Sequence, residues 1–321
     1  MALLITGGCG FIGSGFINYY FSKVDTVIVN IDAMYYCARE MNVSETIRQS
    51  ERYKFVNGNI CSADLIRHIL KQYDVKKVIH FAAQSHVQNS FDDSLQFTKD
   101  NILGTHVLLE ECRKHGIELF VHVSTDEVYG ESMLEETEKT EASVLCPTNP
   151  YAATKAAAEL ISRSYYHSYN MPIIITRGNN VYGPNQYPEK IIPKFIKLLK
   201  DNKPVTIQGD GSNIRSFLHV TDVARAFESV LNHGVIGEIY NLGADPDEEY
   251  TVMNVAKRLI EAITGHGEIE DWIEFIPDRP FNDKRYFISN DKLKKLGWSA
   301  QITFEKGLQD TIKQFNISDW V

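Results

Sequence analysis

At 321 residues, with 43% hydrophobic and 23% charged residues, the chain has an ordinary globular composition and room for two domains, or for one large α/β domain carrying a lobe. A formal net charge of -9 excludes a nucleic-acid surface, which needs a cationic patch, but leaves room for a small anion held by a few local cations. The five cysteines (Cys9, Cys37, Cys61, Cys112, Cys146) form neither a C-x-x-C pair nor a His/Cys cluster, no run approaches the ~18 apolar residues of a membrane span, and no basic leader precedes Ala2. No disulfide framework, metal site or membrane segment is expected, and the compartment read from this is reducing and cytoplasmic.

In chain order, short β-branched runs alternate with amphipathic stretches, the pattern of parallel strands joined by crossover helices. Strands are predicted at Leu3–Thr6, Thr26–Ile31, Lys54–Val56, Lys77–Phe81, Leu119–Ser124 and Pro172–Thr176. Helices are predicted near Gly13–Ser22, Ala63–Gln72, Asn101–His115 and Tyr151–Tyr169. Right-handed crossovers then give a Rossmann-type, doubly wound parallel sheet. After Arg177 the rhythm loosens into loops such as Gly183-Pro184-Asn185 and Gly209-Asp210-Gly211. We therefore divide the chain into a dinucleotide-binding part (1–177) and a smaller C-terminal substrate-binding lobe (178–321), with some chain crossing between them.

The first strand runs into Gly7-Gly8-Cys9-Gly10-Phe11-Ile12-Gly13, which satisfies both G-x-x-G-x-x-G and G-x-G-x-x-G. The motif has its required context: a strand before it, a helix after it and an acidic residue, Asp32, about 20 positions on. Such glycines let backbone approach a pyrophosphate whose charge the helix start favours. Asp32, ending the second strand, is placed to accept from both ribose hydroxyls and to repel a 2′-phosphate, which favours NAD over NADP; Arg39 nearby is the one feature that argues the other way.

Later in the chain come two groups of ionisable residues. The fifth strand ends in Ser124-Thr125-Asp126-Glu127-Val128-Tyr129-Gly130, at the carboxyl edge where open α/β folds bind ligands. Adjacent carboxylates there suit an elimination, one removing a C–H proton and the other protonating a departing hydroxyl. Tyr151 and Lys155, four apart at a predicted helix start, share a face, and an ammonium beside a phenol is expected to lower the phenol's pKa toward the range of a general base. The bland alternatives are a turn cap and a solvated acid for the first group, and a tyrosine packed on a lysine stem for the second. His80, His122 and His86 read as satisfied or gate-lining side chains, since no second ligand stands at metal-binding spacing.

With these motifs in hand, the chain resembles the extended short-chain dehydrogenase/reductases along essentially its whole length. Within them it is most similar to the nucleoside-diphosphate-glucose 4,6-dehydratases, through Phe81-Ala82-Ala83-Gln84-Ser85-His86-Val87, Ser124 to Gly130, and Arg177-Gly178-Asn179-Asn180-Val181-Tyr182-Gly183-Pro184-Asn185-Gln186. The resemblance implies a redox-neutral cycle. Tyr151 takes the C4 hydroxyl proton while NAD accepts the C4 hydride; Glu127 removes the C5 proton as Asp126 protonates the leaving C6 hydroxyl; the hydride returns to C6, giving a 4-keto-6-deoxy sugar. Thr125 would hold the C4 oxygen, and Lys155 the nicotinamide ribose. Phe11, Ile12, Asn59, Ile60 and Ala82 would line the cofactor beside Gly7, Gly10 and Gly13. Ser85, Asn180, Lys190, Arg215 and Arg279 would contact the sugar or diphosphate, guanidinium forks being suited to phosphate oxygens.

Asn59 stands where relatives commonly carry an acid, and Gln88 where they carry aspartate. The string Arg279-Pro280-Phe281-Asn282-Asp283 resembles the eukaryotic UDP-glucose enzymes of rhamnose synthesis, which favours UDP-glucose, with dTDP-glucose next. A sugar-nucleotide 4-epimerase or decarboxylase of the same family remains open, although neither needs the acid pair, and so does a non-catalytic NAD-binding regulator. The resemblance also implies a homodimer packed through the helices near Asn101–His115 and Tyr151–Tyr169, where Ala152, Ala153, Ala156, Ala157 and Ala158 permit close approach.

Overall fold

Ala2–Thr6 (β1) is buried at all five positions, which suits a strand covered on both faces by helices. The computed structural model describes residues 1–265, 268–278 and 281–315. The other strands are β2 (Val27–Asp32), β3 (Tyr53–Asn57), β4 (Val75–His80), β5 (Leu119–Thr125), β6 (Ile173–Gly178), β7 (Asn180–Tyr182), β8 (Val205–Gln208), β9 (Ile214–His219), β10 (Ile239–Leu242), β11 (Glu249–Thr251) and β12 (Ile273–Ile276). Seven of them form one Rossmann-type sheet in the order β10-β6-β5-β4-β1-β2-β3, every pairing parallel. Strand order reverses about β1, whose neighbours are β2 and β4, so a crevice opens at the carboxyl ends beside the glycine loop.

The six predicted strands and four predicted helices all form, with ends displaced by a residue or two in most cases. The helix expected from Asn101 is preceded by a wider turn over Thr98–Leu103, and its regular part is Gly104–His115. Inside that turn the Asn101 side chain leaves the helix surface to bond Gln84 N–H (2.8 Å), Gln84 carbonyl (3.0 Å) and Thr154 Oγ1 (2.9 Å). The seventh strand, β10, comes from the C-terminal part and pairs with β6 from Ile239 against Ile175 to Leu242 against Gly178. No strand is expected there from sequence, because Ile239–Leu242 lies in the stretch after Arg177 where the alternation of strands and helices loosens.

Apolar clusters cover the two sheet faces. The helix Val220–His233 returns from the C-terminal part to one of them, its Phe227 ring meeting Phe81 and Phe16 edge-on at 4.8 and 6.1 Å. A third cluster lies beneath the helices Ile191–Lys200, Val252–Thr264 and Phe304–Gln314. That lobe carries a three-stranded sheet, β11-β9-β7, and a two-stranded one, β12-β8.

The helix Pro150–Tyr169 starts where Asn149 caps it, its Oδ1 accepting Ala152 N–H at 2.9 Å, with Pro150 in the first turn where no N–H is missed. Halfway along, Glu159 (0% exposed) is met by Arg177 of β6 (1% exposed). Arg177 Nε lies 3.1 and 3.0 Å from the two carboxylate oxygens, and Nη2 2.7 Å from Oε2. Its Nη1 donates to Tyr129 Oη (2.7 Å), which donates to Asn241 of β10 (2.8 Å). Removing one partner strands the other charge in a dry interior. Glu159→Gln is therefore expected to destabilise the protein by about 3–5 kcal/mol, read as a lower denaturation midpoint; an unchanged midpoint would show that this contact is not structural.

Candidate active site

The glycine loop fits between β1 and β4 because it lacks side chains. Gly7 has φ +72°, and a Cβ on it would lie 2.7 Å from the Ala82 backbone; one on Gly13 would lie 2.4 Å from the Gly7 carbonyl. Ser14 N–H closes the turn onto Gly10 carbonyl at 3.0 Å and the helix Phe11–Tyr20 begins. Asp32 is buried at the end of β2, its oxygens accepting Cys9 and Met34 N–H groups at 2.9 Å each. Burial raises its pKa, and those backbone donors oppose the shift.

One continuous cleft is lined by Gly7, Gly10, Phe11, Ile12, Gly13, Asp32, Asn59, Ile60, Ala82 and Ser85, and by Thr125, Asp126, Glu127, Tyr151, Lys155, Asn180 and Lys190. Asn59 receives Cys61 N–H on Oδ1 (2.8 Å) and donates to Tyr35 Oη (2.9 Å). Lys190 Nζ reaches across to the Ser85 carbonyl at 2.8 Å, joining the loop after β4 to the C-terminal lobe. Tyr36, donating to Glu189 at 2.7 Å, makes a second such link.

The acidic pair opens the short turn that follows β5. Thr125 Oγ1 donates to Asp126 Oδ1 (3.1 Å) and accepts Glu127 N–H (3.3 Å). Burial first, then the Glu127 charge, pushes Asp126 up to about 7, opposed by hydrogen bonds from Asn179 and Thr125. Glu127 is also raised, chiefly by desolvation, while Asn149, Lys190 and Arg215 pull it down. Tyr286 Oη lies 3.5 Å from Glu127 Oε2 and donates to Asp283, whose other oxygen accepts Thr148 Oγ1 at 2.7 Å.

Tyr151 and Lys155 leave one helix face toward the same cleft, but the expected lowering of the tyrosine by the lysine is corrected here. Lys155 Nζ donates to the Val123 carbonyl at 2.7 Å. Burial, followed by the charges of Glu127 and Asp126, raises the Tyr151 pKa well above the ordinary phenol value, with the nearby Thr125 hydroxyl opposing. Burial pushes Lys155 down to about 8 against the Glu159 charge. Desolvation is the largest influence on both groups, and in each it favours the neutral form.

Arg215 is held behind Tyr286, its guanidinium 5.0 Å from that ring and 3.2 Å from Asn282 Oδ1, where its charge still lowers both acids. Arg279 lies outside the described residues. His80 is satisfied, by Thr6 Oγ1 (2.7 Å) and Thr105 Oγ1 (2.9 Å). His122 differs from the expectation: both ring nitrogens are buried without a hydrogen-bond partner among the described residues.

Sequence reasoning passed over Asn149, Asn179, Asp283 and Tyr286. Asn149 had a readable signal, an Asn-Pro pair at a helix start; it donates to Glu127 Oε2 at 3.0 Å as well as capping. Asn179, at 2.6 Å from Asp126 Oδ2, stood inside a quoted string with no pattern of its own, and Asp283 and Tyr286 are brought in from far along the chain.

Comparisons with known proteins agree with this arrangement. A family model described as GDP-mannose 4,6 dehydratase matches residues 4–311. The trifunctional UDP-glucose 4,6-dehydratase/UDP-4-keto-6-deoxy-D-glucose 3,5-epimerase/UDP-4-keto-L-rhamnose-reductase of Arabidopsis thaliana is 50% identical over 313 residues, 97% of this chain but 46% of that protein. The chain thus spans about half the length of that relative. The dTDP-D-glucose 4,6-dehydratase of Homo sapiens is 43% identical over 324 residues, covering 99% of this chain and 91% of the relative. A crystal structure of the dTDP-glucose 4,6-dehydratase DesIV from Streptomyces venezuelae with NAD bound has a TM-score of 0.92 at 36% identity, over 98% of this chain and 96% of that one. By family match, sequence identity and fold together, the chain belongs to the GDP-mannose 4,6-dehydratase family and is of the extended short-chain dehydrogenase/reductase type.

Proposed function

We propose that the chain is an NAD-dependent nucleoside-diphosphate-glucose 4,6-dehydratase, a hydro-lyase acting on UDP-glucose or dTDP-glucose. The observation that carries this reading is the pair of adjacent desolvated acids facing the same cleft as Tyr151 and Lys155. The residues fit NAD: the glycine cradle has no space for a Cβ, and a buried carboxylate stands at the end of β2. When bound, NAD accepts a hydride from C4 and returns it to C6.

The protein's part is to place and move protons. Tyr151, whose phenol burial holds neutral, takes the C4 hydroxyl proton as the phenolate that the Lys155 ammonium and the positive charge of an oxidised nicotinamide would favour, beside Thr125, which holds that oxygen. Lys155 binds the nicotinamide ribose. Glu127, oriented by Asn149, removes the C5 proton as its carboxylate once the C4 carbonyl has acidified it. Asp126 gives its proton to the departing C6 hydroxyl; a carboxyl with a pKa near neutrality retains that proton for the task. Ser85, Asn180, Lys190 and Arg215 bind the sugar and diphosphate. Residues 1–177 hold the cofactor and 178–321 recognise the sugar nucleotide, β10 crossing back to the sheet. The chain works as a homodimer, an arrangement that covers Leu103 and Leu160, 50% and 60% exposed on or beside the two helices concerned; sedimentation of a monomer would contradict this.

Incubation with UDP-glucose and with dTDP-glucose is expected to give a product lighter by one water, read by mass spectrometry; an unchanged mass would instead indicate a 4-epimerase. Glu127→Gln is expected to lower the yield by about 10²–10⁴-fold while C4 oxidation persists, and a normal yield would refute the assigned base. Gly13→Ala is expected to weaken NAD binding about tenfold or more, equivalent to about 1.4 kcal/mol, measured by calorimetric titration. The acid must be protonated to act and its pKa is raised, so turnover should be retained below pH 7 and fall as pH rises through about 7. A rate that keeps rising above that point would remove Asp126 from the acid role.

A further inference from the structure

Asn179 lies between β6 and β7, is buried, and has its backbone N–H and both ends of its side-chain amide engaged. Its N–H donates to the Leu242 carbonyl at 3.0 Å and its Oδ1 accepts Ala244 N–H at 3.0 Å, so the residue is tied to the chain leaving β10. Because the amide oxygen is already taken by a backbone donor, the NH₂ must face Asp126 Oδ2, 2.6 Å away. The reversed amide would set NH₂ against N–H on one side and oxygen against oxygen on the other, so one orientation alone satisfies both contacts.

An N–H aimed at Oδ2 leaves no place for a proton on that oxygen. The amide NH₂ can only donate, whereas the Thr125 hydroxyl, 3.1 Å from Oδ1, donates to the carboxylate and can rotate to accept from the protonated acid; the proton of Asp126 therefore belongs on Oδ1, and Thr125 lines the cleft. We propose that Asn179 is a positioning residue that confines the Asp126 proton to Oδ1 and stabilises the carboxylate left when that proton is delivered. This rests on the reading of Asp126 as the acid of a dehydration. In that step the Oδ1–H bond breaks, the proton joins the C6 oxygen, and the C6–O bond breaks with its electron pair as water departs. The negative charge left on Asp126 falls on a group whose Oδ2 already accepts an N–H, so no donor has to reorganise as the charge develops. The same hydrogen bond opposes the upward push of burial and keeps the acid from becoming too weak to give up its proton.

The test uses the NAD-loaded protein with UDP-glucose and with its 6-deoxy-6-fluoro analogue, whose fluoride leaves as an anion without needing a proton. Asn179→Ala is expected to lower kcat on UDP-glucose by about 10- to 100-fold with KM changed less than about threefold. Reduced nicotinamide should accumulate transiently, because C4 oxidation then outruns elimination, and the loss on the fluoro analogue should be much smaller. A purely structural lesion slows both substrates alike, and that result, or an unchanged kcat, overturns the proposal. Asn179→Asp keeps an acceptor for Ala244 N–H but sets a second carboxyl against Oδ2. It is expected to move the high-pH limb of the rate profile upward, and it decides the matter if the alanine variant does not fold; an unmoved limb counts against the proposal. The underlying reading fails separately, if the unaltered protein forms no dehydrated product, or if Asp126→Asn slows both substrates equally.

Discussion

The placement of the whole site depends on one ion pair that is almost entirely removed from water. Arg177 and Glu159 join β6 to the helix Pro150–Tyr169, and Tyr129 extends the contact to the turn after β5 and to β10. Burying two such charges costs several kcal/mol per ion, which is offset only when geometry and hydrogen bonding are nearly complete. Arg177 meets that condition with both Glu159 oxygens and the tyrosine, so the segments around it have one arrangement that works. Those segments line the cleft. The helix brings Tyr151 and Lys155, the turn brings Asp126 and Glu127, and the end of β6 leads directly into Asn179.

The same dryness sets the electrostatics of the cleft. Desolvation is the largest influence on Tyr151, Lys155, Asp126 and Glu127, and in each case it favours the neutral form. Hydrogen bonds and cations then separate the acids. Asp126 has an amide on one oxygen and a hydroxyl on the other, and sits at about 7. Glu127 has Asn149 on Oε2 and feels Lys190 and Arg215 more directly, which favours its charged form. Two adjacent residues of similar intrinsic acidity thus have different partners, although burial raises both. Asn149 links this difference to the fold, because the amide that orients Glu127 also caps the helix that presents Tyr151.

Several contacts tie the second half of the chain to the first. Lys190 on the Ser85 carbonyl and Tyr36 on Glu189 cross the mouth of the cleft, while the helix Val220–His233 packs against the first helix through aromatic rings. A cofactor that is reduced and reoxidised within a single turnover has no need to leave, and cross-links over its cleft suit that economy.

Local chemistry made a large part of this legible from the residues alone. Short β-branched runs set between amphipathic stretches locate six parallel strands, because a strand buried on both faces is apolar along most of its length. The glycine loop with Asp32 is legible because a positive φ and a close approach of backbone to backbone tolerate glycine alone. The acid pair and the Tyr-Lys pair are legible as short spacings. Three things required the folded chain. The short strand β10 is defined by its pairing with β6, from a part of the chain far from the other six strands of the sheet. Asn179, Asp283 and Tyr286 reach the acids from distant segments that only tertiary packing brings together. The direction of the Tyr151 shift was misread from spacing, since a neighbour's charge can be guessed from sequence, whereas the loss of water around a group depends on everything packed against it.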